Sequence, residues 1–343
     1  MRQTLLLMLL VLTASPILAV DYAVMMDAGS SGTRVFVYEI GNSIVKYKSN
    51  LKIEPGLSAF EHNLPGIRLY LEKLLDFAKE QIGKNIPVEQ VSLRLQATGG
   101  VRALSKISQE RIIAEVQKVF LESGFGSPVA EVISGVAEGV YEWISINYLL
   151  GSLKNTSKPS VGLLEMGGAS LQVTFKPSST KEIYSRTYDG LGELRAWKEF
   201  GSKDCKKIPL KYALCRKSLA RQLKVIHKPK LQGKFYLVDN FEQLASLLKL
   251  EKVSSEILDQ QGPKICSKDL GALKQELPSP FAEQYLKRVC FQTAYMSVVL
   301  EKIGFKRNQK LISAKTIGET TLSWTLGSLV DNMLSSQKTV VMP

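Results

Sequence analysis

The chain is poor in the residues that most often mark chemistry. Only two histidines, His62 and His227, occur in 343 residues, and the four cysteines include no Cys-x-x-Cys pair. Zinc binding at the usual Cys/His spacing is therefore disfavoured. Neither histidine lies in a motif, so no Ser-His-Asp arrangement is readable and the serines are not set up as nucleophiles. A Gly-x-x-x-x-Gly-Lys loop is absent, which removes the Walker class of nucleotide site. No segment beyond the N-terminal leader is long and apolar enough to span a bilayer, and nothing reads as coiled coil or low complexity.

What is present fits an exported globular protein. The apolar fraction of 45% and charged fraction of 22% are ordinary, and the length accommodates two full cores. Met1-Arg2 followed by the apolar run Leu5 to Leu12, a break at Ala14-Ser15-Pro16 and the boundary Ile17-Leu18-Ala19 reads as a secretory signal over residues 1–19. The run is shorter than the ~20 residues of a membrane span, so cleavage is favoured over retention as an anchor. Secreted or periplasmic localisation suits the four cysteines as structural disulfides. Three pairings are open to them, of which Cys205–Cys215 and Cys266–Cys290 close the shortest loops. Formal charge is +13, and much of it is local, with 11 Lys or Arg residues and one acid, Asp204, between Lys203 and Lys234. That stretch reads first as a solvated insertion over about 200–235. An acidic-surface contact is the alternative. Aromatics are not interleaved with it, which argues against nucleic-acid binding.

One pattern occurs twice. Val24-Met25-Met26-Asp27-Ala28-Gly29-Ser30-Ser31-Gly32-Thr33-Arg34 and Val161-Gly162-Leu163-Leu164-Glu165-Met166-Gly167-Gly168-Ala169-Ser170 each run from an apolar strand through one carboxylate into a small-residue turn and a second strand. Small residues let backbone N–H groups and hydroxyls approach an anion. Two such turns face to face, with Asp27 and Glu165 at matched positions, suggest a two-lobed phosphate site with a divalent cation between the lobes. Around the copies, strands alternate with helices. Helices are expected at Pro65–Ile82, from a Ser108 cap to Gly124, at Ala137–Leu150, Phe281–Ile303 and Thr320–Leu334; strands at Val91–Leu95 and Val129–Ile133.

Together with three other segments, the doubled loop resembles the apyrase family, the secreted and ecto nucleoside triphosphate diphosphohydrolases. Asp27-Ala28-Gly29-Ser30-Ser31-Gly32-Thr33-Arg34 is similar to the first family motif, and Ala97-Thr98-Gly99-Gly100-Val101-Arg102 to the second. Glu138-Gly139-Val140-Tyr141-Glu142-Trp143-Ile144, Glu165-Met166-Gly167-Gly168-Ala169-Ser170-Leu171-Gln172 and Trp324-Thr325-Leu326-Gly327 resemble the remaining three, in order. The resemblance implies an α/β, two-lobed actin-like (ribonuclease-H-like) fold with its site in the interlobe cleft. Lobe I would span 20–136 and lobe II 137–317, with a C-terminal helix (318–343) returning to lobe I. It implies hydrolysis of nucleoside tri- and diphosphates to monophosphates with Ca2+ or Mg2+.

The same resemblance distributes the roles. Gly29, Ser30, Ser31, Gly32, Thr33 and Arg34 would bind phosphate from one side, and Gly167, Gly168 and Ala169 from the other. Asp27 and Glu165 would hold the cation through its waters. Glu138 matches the catalytic base, and Thr98, Ser170 and Gln172 match positions that orient the attacking water. Placed at a helix start, Glu138 gains roughly 0.3–1 kcal/mol for its charged form and is expected to be ionised at neutral pH. Glu165 departs from the family's Asp by one methylene, and Leu171 replaces a Thr and is expected to face the core. For the nucleobase, Asn240 or Phe241, with Tyr285, would sandwich the ring, with core packing of Phe241 and Tyr285 as the alternative. Rival readings are an exopolyphosphatase-like hydrolase of the same fold and a nucleotide-gripping protein that does not cleave.

Overall fold

The computed structural model describes residues 21–41, 44–155, 157–180, 182–201, 205, 211–223, 229–276 and 283–339. The leader, residues 202–204, 206–210 and 224–228 of the basic stretch (His227 among them), Phe281 and the last four residues lie outside them.

Two sheets share one plan. In the first, β1 (Asp21–Ala28), β2 (Thr33–Gly41), β3 (Ile44–Ile53), β4 (Ser92–Ala97) and β5 (Gly126–Val132) lie in the order β3-β2-β1-β4-β5. The β1–β2 hairpin is antiparallel, with Asp27 opposite Arg34, and β4 joins β1 in parallel. In the second, β6 (Gly162–Met166), β7 (Ser170–Phe175), β8 (Tyr184–Asp189), β9 (Phe235–Asp239), β10 (Lys252–Val253) and β11 (Leu311–Ser313) run β10-β11-β9-β6-β7-β8. Here β6–β7 is the antiparallel hairpin, with Glu165 opposite Gln172, and β9 joins β6 in parallel. Each repeated motif is thus the first hairpin of its sheet. Both carboxylates occupy the next-to-last, turn-side position of a central strand.

The strands read as near-continuous apolar runs because both faces are covered. Alternation sorts each strand's side chains between two cores. Val24, Met26 and Ala28 of β1, with Val35 and Val37 of β2, face an outer core covered by helices α1 (Gly66–Ile82), the short α2 (Gly99–Arg102) and α3 (Lys106–Glu122). Their neighbours Ala23, Met25, Phe36 and Tyr38 face the other way, into a central layer. On the second sheet, Leu164 and Met166 enter a second outer core while Leu163 faces the same central layer. That layer is filled by Trp143, Ile144 and Ile146 of α4 (Gly135–Leu149) and by Leu326, Leu329 and Val330 of the closing helix Trp324–Thr339. Full burial of each such side chain stabilises by about 1.5–3 kcal/mol, so the central layer ties the two sheets into one body. A β-carbon at Gly327 would collide with the Tyr141 carbonyl, so glycine is what lets the closing helix lie against α4.

Several expected boundaries move. α3 is capped by Ser105, whose Oγ accepts the Ser108 amide at 3.1 Å, three residues before the expected cap. The closing helix starts at Trp324, because Thr320–Thr321 pair with Thr316–Ile317 in a small hairpin. The helix expected at Phe281–Ile303 is two pieces in its described part, Glu283–Leu286 and Val289–Ile303, and the turn between them directs Arg288 back toward Glu193. Both disulfides form as Cys205–Cys215 and Cys266–Cys290, in the core of the second sheet. Among the described residues no helix is long and apolar enough to cross a membrane.

Candidate active site

The two hairpin turns meet across a cleft of about 440 Å³. Gly29, Ser30, Ser31, Gly32 and Arg34 line one side, and Gly167, Gly168 and Ala169 the other, with Thr98 and Gly99 between them. The approach is close enough to require glycine: a β-carbon on Gly168 would strike Ser30 Oγ, and one on Gly100 would lie 2.7 Å from Ser30 Cα. Stripped of side chains, the turns leave backbone N–H groups and short hydroxyls as the groups facing the gap. Such a surface suits a phosphate chain.

Glu138 reaches the cleft from the first turn of α4, whose N-cap Ser134 accepts the Ala137 amide at 3.1 Å. It is 5% exposed. Arg102 Nη1 and Gln172 Nε2 each donate to Glu138 Oε2 at 3.0 Å. Arg102 Nη2 and Gln172 Nε2 also both donate to Ser170 Oγ at 3.1 Å. One oxygen of the base is therefore held by two donors, and Oε1 is left for another partner. Burial pushes the Glu138 carboxyl up to about 7, although Arg102 pulls the other way. The sequence-based expectation of full ionisation at neutral pH is corrected: burial outweighs the helix terminus, and the group sits at its titration point. A carboxylate near the working pH is well matched to proton abstraction.

Asp27 and Glu165 both line the cleft floor. Glu165 is 4% exposed. Asp27 Oδ1 and Glu165 Oε2 are sealed from solvent and have no hydrogen-bond partner among the described residues. Burial, then the charges of Glu138 and Asp239, push Asp27 up to about 8, and the same causes raise Glu165 well above the carboxylate range. Partnerless carboxylate oxygens in such a place are costly without a positive counterpart, and their hard oxygen donors fit a divalent cation. Among the described residues no three His, Cys, Asp or Glu side chains converge as a preformed metal cage.

Other expected site residues divide. Thr98 and Ser170 line the cleft and are themselves buried. Gln172 is fully buried behind Ser170 and does not line the cleft, so it positions the base and does not face open space. Thr33 is a correction: as the first residue of β2 it points into protein, and its amide donates to Tyr70 Oη at 3.0 Å. Phe241 is another, 1% exposed within the second-sheet core and away from the cleft. Asn240 and Tyr285 do line the cleft, with Asn240 Nδ2 donating to the Met166 carbonyl at 2.8 Å. Leu171 is fully buried in the core, as expected.

Four contributors escape sequence reasoning. Arg102 belongs to the second motif, yet nothing in that motif marks it as a partner of Glu138. Lys52, from β3, donates to Ser31 Oγ at 3.0 Å beside the first turn. Asp239 is the last residue of β9, and Asp27 and Glu165 are the next-to-last of β1 and β6, which is the signal that could have found it. Glu193, 1% exposed, accepts from Arg288 Nε at 2.8 Å and Gln292 Nε2 at 3.1 Å, and lines the cleft beside Leu194 and Tyr285.

Duplicated sheets with facing glycine turns and a held glutamate between them define an α/β phosphohydrolase of actin-like architecture. The GDA1/CD39 (nucleoside phosphatase) family model matches residues 18–207, and the chain belongs to that family. It is 30% identical to probable apyrase 3 of Arabidopsis thaliana, over 90% of this chain and 82% of that protein. It is 27% identical to ectonucleoside triphosphate diphosphohydrolase 6 of Mus musculus, over 90% of this chain and 81% of that one. Among solved structures, an Aquifex aeolicus member of the Ppx/GppA family superposes with a TM-score of 0.61 at 15% identity, covering 93% of this chain and 99% of that one. Nucleoside triphosphate hydrolases from Neospora caninum give a TM-score of 0.61 at 13% identity, covering 93% of each chain. These two structural likenesses establish the shared fold.

Proposed function

We propose that the chain is an exported, divalent-cation-dependent apyrase that hydrolyses nucleoside tri- and diphosphates stepwise to monophosphates. The observation that carries this reading is Glu138, buried, fixed through one oxygen by Arg102 and Gln172, and facing a gap bounded by two glycine turns. Ser30, Ser31 and the backbone of Gly29 and Gly32 bind the terminal phosphates from one side, Gly167, Gly168 and Ala169 from the other. Arg34 and Lys52 supply positive charge at the first turn. Glu138 takes the proton of a water placed between Thr98 and Ser170, which attacks the terminal phosphorus in line with the leaving oxygen. Asp27 and Glu165 would hold the cation, which when bound offsets the charge of the phosphates and of these acids. Neither ion, Ca2+ nor Mg2+, is favoured by the donor set, since both take oxygen ligands.

Asn240 and Tyr285 take the base, with Phe241 withdrawn from that role. Lobe I comprises 20–136 with the closing segment 318–343, and lobe II 137–317. The leader and the two disulfides support export. Phosphate release from a panel of nucleoside tri- and diphosphates and from long-chain polyphosphate, with chelator and with Ca2+ or Mg2+, tests the reading. Cation-dependent release from both nucleotide classes is expected. Preference for polyphosphate, or release indifferent to chelator, overturns it.

A further inference from the structure

A second cavity of about 300 Å³ adjoins the cleft and shares Asp27, Arg34, Glu165, Asp239, Gln243 and Trp324 with its lining. It adds two acids of its own, Glu142 from α4 and Glu242 from the Asn240–Leu247 helix. Among the described residues its lining holds only two cationic groups, Arg34 and Lys315, against these five carboxylates. With all five ionised, three negative charges are left over. A single divalent ion between Asp27 and Glu165 removes two of them.

Glu142 is the informative member. It lies one helical turn after Glu138, is 4% exposed and lines this cavity. Among the described residues it accepts no hydrogen bond and makes no ion pair, and the charged groups that act on it, Asp239, Asp27 and Glu138, are all acidic. A carboxylate enclosed in this way, with neither donor nor counter-charge, is among the costliest features a fold can retain. Ser246, Thr321 and Ser323 add hydroxyl oxygens around the same space. Oxygen donors, excess negative charge and room for water together describe a site for a hard, hydrated cation.

We infer that this cavity is a second divalent-cation site, centred on Glu142 with Glu242 at its rim, separate from the ion that accompanies the phosphates. An ion there neutralises the acids and leaves Asp27 and Glu165 free to serve the cleft. The site goes beyond the hydrolase reading and does not depend on it.

The test is a Mn2+ titration of nucleotide-free protein, counting free Mn2+ by electron paramagnetic resonance, on wild type, Glu142→Gln and Glu242→Gln. Two Mn2+ ions per chain are expected for wild type and one for Glu142→Gln, with the remaining ion at unchanged affinity. The same number of ions at the same affinity in wild type and in Glu142→Gln overturns the site. If Glu142→Gln fails to fold, Glu242→Gln gives the reading from the rim: about tenfold weaker binding of the second ion supports the site, and unchanged affinity for both removes it. No nucleotide is present, so failure here leaves the hydrolase reading intact. Failure to release phosphate from nucleotides likewise leaves the ion count standing.

Discussion

Replacing Glu138 by Gln isolates the proposed base with little other change. The two donors on Oε2, Arg102 Nη1 and Gln172 Nε2, both at 3.0 Å, can still donate to an amide oxygen. The cleft therefore keeps its shape, while the substituted side chain cannot take a proton. A positioned base contributes typically 10²–10⁴ in rate, about 3–5 kcal/mol at 1.36 kcal/mol per decade. The loss should fall in kcat, with KM for nucleoside diphosphate changed much less, because the phosphate-binding turns are untouched. The wild-type pH profile supplies a second reading. With the carboxyl pushed up to about 7 by burial, kcat/KM should climb about tenfold per pH unit below that value and level off above it. Bound cation lowers the apparent midpoint. Glu138→Gln should lose this limb. Steady-state phosphate release across pH 5 to 9 measures both effects. Turnover within a few-fold of wild type, or an unaltered acid limb, would refute the assignment.

Three further outcomes follow from the geometry. Gly168→Ala should lower kcat/KM by about 10²-fold, since its methyl group meets Ser30 across the cleft and displaces one turn by a fraction of an ångström; wild-type kinetics would show that the turns do not act together. In chelator, the protein should melt at lower temperature at pH 8 than at pH 5. Asp27 rises from 3.8 to about 8 and Glu138 from 4.5 to about 7, so between those values the folded chain holds protons the unfolded chain has lost, and stability falls as pH rises. Divalent cation should restore the melting temperature most strongly at pH 8, and a cation effect that is equal at both pH values would contradict the acid cluster as its site. Thiol titration of native protein should find no free cysteine, and breaking Cys266–Cys290 by double serine substitution should cost about 3.5 kcal/mol for a loop of 24 residues; four reactive thiols would refute both bridges.

The duplicated plan is legible because each motif packs an apolar central strand, a carboxylate and a small-residue turn into one contiguous stretch. Local patterns of that kind survive in sequence, and Asp27, Glu138, Glu165 and the glycines are readable for that reason. What escapes depends on contacts between distant segments. Phe241 has the composition of a base-stacking residue, but its strand-to-helix junction turns it into the second-sheet core. Thr33 shares a motif with Ser30 and Ser31, yet as the first residue of β2 it faces Tyr70 from α1. Glu142 falls inside a helix expected at Ala137–Leu150, and only the meeting of α4 with the second cavity exposes its lack of a partner. The protonation of Glu138 differs from expectation because helix position is visible in sequence while burial is not.

The most direct test of the central claim is a crystal structure of the Glu138→Gln protein with a nucleoside triphosphate and divalent cation. The account predicts the terminal phosphates between the Ser30–Ser31 turn and the Gly167–Gly168 turn, a cation against Asp27 and Glu165, and the substituted side chain at position 138 facing a water in line with the terminal phosphorus. Phosphates bound outside the gap between the two turns, or a water placed by some other group, would contradict it.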